Sequence, residues 1–223
     1  MTYGGTIGKK FHEDGTVRRY PGNTVVADIL PGNPAYDVMC KLRQMVIDMG
    51  LTSHIILLPE DSYHMTVIQG VNDQVRKETN WPKDLPLDAP MTQVDDFVSA
   101  AILKTGLPGP ARMRFDTINI SKSACIIRLH PADEEQSKRL WDFRNRAADN
   151  LGLRLPNHDN YRFHISLGYV WKIAEGADEE RLEQLKEKVN ADIATQPEFW
   201  TDAPYMAYYS DMHAFSPERI VRD

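Results

Sequence analysis

With 223 residues, 42% of them hydrophobic, the chain can bury the core of one large domain or of two small lobes that share one. No apolar run approaches the ~20 residues of a membrane span, and the Gly-rich, polar start Met1–Lys10 lacks the apolar stretch of a secretory signal, so a cytoplasmic protein without membrane contact is expected. The formal net charge of -6 argues against a protein that coats long nucleic acid, which needs a basic surface, but leaves room for a local positive pocket.

In chain order, Thr6 to Tyr20 reads as a small hairpin turning at Glu13-Asp14-Gly15, and Thr24 to Leu30 as a strand ended by Pro31-Gly32-Asn33-Pro34. Ala35 to Met49 carries apolar residues at helical intervals (Val38, Met39, Leu42, Met45, Val46, Met49), with Gly50 placed as a helix stop. Ser53–Leu58 and Tyr63–Gln69 read as two short strands. Val71 to Pro90, polar and containing Trp81, reads as a long loop of the kind that often serves as a lid. A helix over Thr92–Lys104 and strands over Arg112–Ile120 and Ala124–Leu129 follow. The later part holds an amphipathic helix from Asp133 to Asn150, a strand from Arg162 to Val170, a charged helix over Asp178–Asn190 and a last strand over Tyr205–His213. The two cysteines, Cys40 and Cys125, have neither metal nor redox spacing and are expected to be reduced thiols.

This order repeats: strand, proline, helix, strand, helix, strand. Pro31 precedes His64 by 33 positions, and Pro131 precedes His164 by the same 33. The period is too long for a solenoid, so a duplicated lobe is expected. The reading is one bilobal domain over 1–223, with a hairpin extension over 1–22, a first repeat over about 23–120 and a second over about 121–216.

The repeated strands contain Tyr63-His64-Met65-Thr66-Val67 and Phe163-His164-Ile165-Ser166-Leu167. Side chains alternate along a strand, so each has an apolar face and an opposite face carrying an imidazole and a hydroxyl. His-x-Thr/Ser alone is a weak signal. The weight comes from both matches following an aromatic residue, ending in an apolar one and holding equivalent places in the repeat. The other five histidines have no Ser or Thr two places on.

Two H-x-[T/S] motifs, one per lobe, resemble the two-histidine (2H) phosphoesterase superfamily, which includes RNA 2′,3′-cyclic phosphodiesterases, 2′-5′ RNA ligase-like proteins and nucleotide cyclic phosphodiesterases. The resemblance covers roughly residues 23 to 215. Ser166 stands where the commonest pattern has threonine, and the hydroxyl is retained. The N-terminal hairpin and the Val71–Pro90 loop have no counterpart in it and point to a bacterial branch apart from the RNA-end-processing one.

The resemblance implies an α+β fold of two pseudo-symmetric lobes, each an antiparallel sheet with helices outside, that form a central cleft. It also implies metal-independent hydrolysis of a 2′,3′-cyclic phosphate or related phosphodiester of a nucleotide or RNA end. His64 and His164 would exchange protons with nucleophile and leaving group, since imidazole titrates near neutrality. Thr66 and Ser166 would donate to the non-bridging oxygens. Which histidine is the base stays open. Arg162, two positions before His164, offers a fixed positive charge or simply reaches solvent. Tyr169 and Trp171 offer rings for stacking or for packing. The expected partner is a small nucleotide or RNA-end substrate, the expected state a monomer, and no cofactor is expected. There is no H-E-x-x-H helix, no cysteine cluster and no G-x-x-x-x-G-K loop. A non-catalytic binder of nucleotides or RNA ends using the same cleft is the alternative.

Overall fold

The computed structural model describes residues 2–219; Met1 and residues 220–223, the outermost positions of the expected domain, lie outside the described residues. Eight strands are described: β1 (Gly22–Asp28), β2 (Ile55–Leu57), β3 (His64–Asn72), β4 (Arg112–Ile120), β5 (Ala124–Pro131), β6 (His164–Val170), β7 (Phe199–Trp200) and β8 (Tyr205–Tyr209). They form one antiparallel sheet in the order β7-β4-β5-β6-β3-β1-β8, with β2 added to β6. Helices α1 (Pro34–Asp48), α2 (Met91–Thr105), α3 (Glu134–Leu151) and α4 (Ala177–Ile193) pack with the sheet around one core. No helix among the described residues is long and apolar enough to cross a membrane.

The strand periodicity decides which face does what. Met65, Val67, Ile165 and Leu167 are fully buried, whereas His64, Thr66, His164 and Ser166 are half-buried on the opposite face. The helices start where short polar side chains cap them: the Asn33 amide oxygen accepts from Ala35 N (3.0 Å), and the Asp133 carboxylate accepts from Gln136 N (2.8 Å). Both stop at a left-handed glycine, Gly50 after α1 and Gly152 after α3 (φ +67° and +59°), a conformation that a side chain would oppose.

The fold is pseudo-two-fold, as the α+β reading expected, and its hydrogen bonds repeat at an interval of 100 positions. Ile29 N donates to Tyr63 O and Leu129 N to Phe163 O, both at 2.9 Å. Asp28 faces His64 across β1–β3, and Arg128 faces His164 across β5–β6. Even the register shifts coincide, between Val25 and Val26 and between Cys125 and Ile126. The lobes share one sheet because β3 and β6 pair at Met65↔Ile165. Beyond that point β2 takes the edge of β6 (Ile55↔Val170, Leu57↔Gly168), while Tyr161 Oη and Arg144 Nη1 serve the carbonyls of Thr66 and Val67 (3.2 and 2.7 Å).

Several elements differ from expectation. The Thr6–Tyr20 hairpin has the turn, with His12 N bonded to Thr16 O (2.8 Å) and Gly15 at φ +86°, but it is reduced to isolated bridges at Phe11. Its Phe11 leaves any ladder to be buried with Leu58 and Met212 in a second small core on the cleft face. The Ser53–Leu58 strand shrinks to Ile55–Leu57 because Leu51–Ser53 forms a 3₁₀ turn. The last strand stops at Tyr209, and β7 is only two residues long, too short for a periodicity to show. The Val71–Pro90 segment is packed down rather than free: Trp81 is 2% exposed, its Nε1 donates to Pro86 O (2.9 Å), and the Arg76 guanidinium lies 4.6 Å from its ring.

Candidate functional site

The Met65↔Ile165 pair acts as a local two-fold axis. In an antiparallel register it places His64 opposite Ser166 and Thr66 opposite His164. Side chains alternate along each strand, so the two imidazoles and two hydroxyls flank this pair on one face. All four line a single cavity of about 250 Å³.

The imidazoles are held alike. His64 Nδ1 meets Ser62 O at 2.7 Å and His164 Nδ1 meets Arg162 O at 2.8 Å. A carbonyl only accepts, so each Nδ1 carries the proton and each Nε2 is left with its lone pair for a ligand. Burial lowers the His64 pKa to about 4; the Ser62 carbonyl partly offsets this, and His164 and Lys10 lower it further. His164 is also lowered, first by burial and then, against the pull of the Arg162 carbonyl, by Lys10 and Arg128. Burial thus favours the neutral form of both imidazoles.

Lys10 is a cavity residue that sequence reasoning missed. It arrives from the N-terminal segment, and its Nζ donates to Tyr169 Oη (3.1 Å) and lies 4.6 and 5.4 Å from the Tyr169 and Tyr20 rings. Burial opposes its charge, but the oxygens of Tyr169, Tyr209 and Tyr20 outweigh it and leave its pKa raised. Among the described residues no carboxylate lies within 4 Å of it. The cavity thus contains an ammonium whose charge is unbalanced, a setting for an anion. No local signal separates Lys10 from Lys9, because what marks it is a tyrosine 159 positions away.

The segment that delivers Lys10 is anchored at several points. Gly4 N donates to Trp171 O (2.9 Å), Gly5 N to Lys122 O (2.8 Å) and Trp171 Nε1 to Glu13 O (3.0 Å). A side chain at Gly4 would collide with the Val170 carbonyl, which is why the strap can lie so close to β6.

Of the other expected residues, Tyr169 lines the cavity, donating to Met212 Sδ (3.3 Å) while accepting from Lys10. Trp171 does not line it and serves the strap. Arg162 lies outside this cavity: the alternation of buried and less buried residues runs back from His164 through Arg162, but regular strand begins only at His164. Its carbonyl holds the imidazole, while its exposed side chain borders a different cavity. Phe215 (ring centre 4.2 Å from that of His64) and Val75 and Asn80 of the 71–90 segment also line the cavity. Among the described residues no three His, Cys, Asp or Glu side chains cluster at metal-binding distance.

Eleven chains of solved structures match this protein. The conserved protein of unknown function ATU0111 from Agrobacterium tumefaciens str. C58 superposes with a TM-score of 0.87 at 28% identity, over 100% of this chain and 94% of that one. Another, described as a phosphoesterase, has a TM-score of 0.46 at 12% identity, over 89% of this chain and 95% of that one. No curated protein matches. Residues 10–124, just over half of the chain, match the family model described as "2H-phosphodiest: Domain of unknown function (DUF1868)". Family membership points to phosphoester chemistry, and the paired imidazoles are suited to it. The chain belongs to this 2H-phosphodiesterase family.

Proposed function

We propose that the protein is a phosphodiesterase that opens a 2′,3′-cyclic phosphate, or a closely related phosphodiester, of a nucleotide or RNA end by two-histidine acid–base chemistry. The observation that carries this reading is the convergence of His64, Thr66, His164, Ser166 and Lys10 on one cavity about the Met65↔Ile165 axis.

One imidazole takes a proton from water through Nε2 as the new P–O bond forms. The other, protonated, gives its proton to the ribose oxygen as the old P–O bond breaks. The pair ends with its protonation states exchanged. Thr66 and Ser166 donate to the non-bridging oxygens, and Lys10 offsets the charge that grows there in the transition state. The substrate itself supplies the needed asymmetry: its negative charge favours one imidazolium in a site where burial otherwise favours neutral rings.

The direct test is hydrolysis, in the presence of chelator, of adenosine 2′,3′-cyclic phosphate and of an RNA oligonucleotide ending in a cyclic phosphate. Turnover supports the reading. Loss in chelator with rescue by a divalent ion rejects acid–base chemistry alone, and binding without turnover across both substrates favours a nucleotide-binding protein.

The pH dependence follows from the lowered pKa values. The productive form of the free protein has one ring protonated and one neutral, so it is most populated between the two apparent pKa values of the pair. Both lie below the ordinary 6.5. As pH rises past them the last imidazolium is lost, and as pH falls both rings charge. kcat/KM is therefore expected to peak on the acid side of pH 6.5, and an optimum above neutrality in a pH–rate profile would contradict this pairing.

Lys10→Met keeps the buried stem and removes the charge. A loss of about 10²-fold in kcat/KM, with kcat falling as well as KM rising, is expected from steady-state kinetics. A change confined to KM would place Lys10 in ground-state binding alone.

A further inference from the structure

The pseudo-two-fold axis relates positions of opposite charge. Asp28 faces His64 from β1, whereas the equivalent Arg128 faces His164 from β5. Ser62 precedes His64 where Arg162 precedes His164. On the His164 side a second cavity of about 310 Å³ opens, bordered by Arg128, Arg162, His130, Asp116, Asn160 and Trp141. Tyr161 is a wall of both this cavity and the catalytic one, so the two are neighbours across a single side chain.

Its charges are not cancelled internally. Asp116, the acidic side chain on its wall, is engaged by His130 (Nε2 to Oδ2, 3.2 Å). Among the described residues neither Arg128 nor Arg162 has a carboxylate within 4 Å, and Arg128 Nε is buried without a hydrogen-bond partner. A buried donor left unpaired costs stability unless a ligand completes it. The matching place on the other wall is closed to an anion, since Asp28 accepts from Tyr205 Oη (3.1 Å) and keeps a carboxylate there.

We propose that Arg128 and Arg162 form a second anion subsite, which holds another phosphate of the same ligand while the scissile one sits between the histidines. This rests on the phosphodiesterase reading and deepens it: the preferred substrate is a nucleotide with a further phosphate, or an oligonucleotide whose neighbouring phosphodiester reaches the arginines. Guanidinium suits that role, because its planar donors bind two phosphate oxygens at once. The charge asymmetry also orients the ligand, with its second anion on the β5 side.

The test compares binding, so that it stands apart from turnover. Dissociation constants are measured by calorimetry for adenosine 3′-phosphate, adenosine 3′,5′-bisphosphate and a dinucleotide ending in a 3′-phosphate. The wild-type protein should bind at least one of the two ligands that carry a second phosphate about tenfold or more tighter than the monophosphate; the ligand preferred tells a terminal phosphate from a bridging one. In Arg162→Gln, at an exposed position, that ratio should fall about threefold or more, and in Arg128→Gln/Arg162→Gln it should approach one, with melting curves confirming a folded protein. Equal affinities in the wild-type protein, or a ratio that survives the double substitution, overturn the second subsite while leaving the phosphodiesterase reading intact. Binding of none of the three overturns the second subsite, and turnover of the cyclic phosphate then decides the phosphodiesterase reading separately.

Discussion

His64→Ala and His164→Ala are each expected to lower kcat by about 10³-fold or more with the fold retained. A positioned acid or base contributes ~10²–10⁴-fold, and here each ring has only one partner to exchange protons with. Because the two act as a unit, the double variant should be little worse than either single one. The fold survives because both rings lie on the half-buried cleft face, not among the fully buried Met65, Val67, Ile165 and Leu167. Stability carries an independent signature. The folded His64 titrates near 4 against 6.5 for the ordinary ring, so between those values the unfolded chain binds more protons and stability falls as pH falls. His64→Ala should flatten that fall, as read from urea titrations at pH 4.5 and 7. Turnover that persists in both single variants would reject the mechanism.

The largest expected loss of stability comes from a residue outside the cavity. Arg144→Ala should cost about 3–5 kcal/mol, from two carbonyls left unpaired and a large side chain removed from a buried site, or a fall in Tm of roughly 10 °C for a chain of this length. The guanidinium, on α3, is 2% exposed and donates to Val67 O (2.7 Å) and His158 O (3.2 Å) while lying 4.0 Å from the Tyr161 ring centre. Burial lowers its pKa to about 10, still high enough to keep it charged near neutrality. Its loss leaves two carbonyls unpaired and a void between α3 and the strands. Val67 and the Tyr161-bound Thr66 sit beside the Met65↔Ile165 crossing, so kcat should fall along with Tm. Arg144→Met fills much of the void and should recover part of the stability but not the hydrogen bonds. An Arg144→Ala protein that melts within about 2 °C of wild type would show that Arg144 does not hold the crossing together.

The equivalent place in the first lobe explains why an arginine is found there. Arg43 on α1 donates to Leu58 O (2.8 Å) as Arg144, 101 positions on, does to His158 O, 100 positions on. Arg43 also has Glu60 at 3.2 Å and stays partly exposed, so duplication preserved the hydrogen bond while the surroundings diverged. The same divergence separates Asp28 from Arg128, and Ser62 from Arg162.

Much of this was legible along the chain. Alternation in Tyr63–Val67 and Phe163–Leu167 placed imidazole and hydroxyl on one face, the equal spacing from Pro31 and Pro131 announced the duplication, and caps and glycines marked α1 and α3. These are local properties, set by side-chain period and by the backbone needs of a few neighbouring residues. The crossing at Met65↔Ile165, the arrival of Lys10, the burial of Arg144 and the placing of Arg162 at a different cavity were decided only by tertiary structure. Each depends on which distant segments touch: a strap laid over β6, a helix reaching under β3, a strand beginning two residues later than its apolar pattern suggests. A charged side chain reads the same in a sequence whether it meets water or a cavity, because its role lies in the surroundings that the folded chain brings to it.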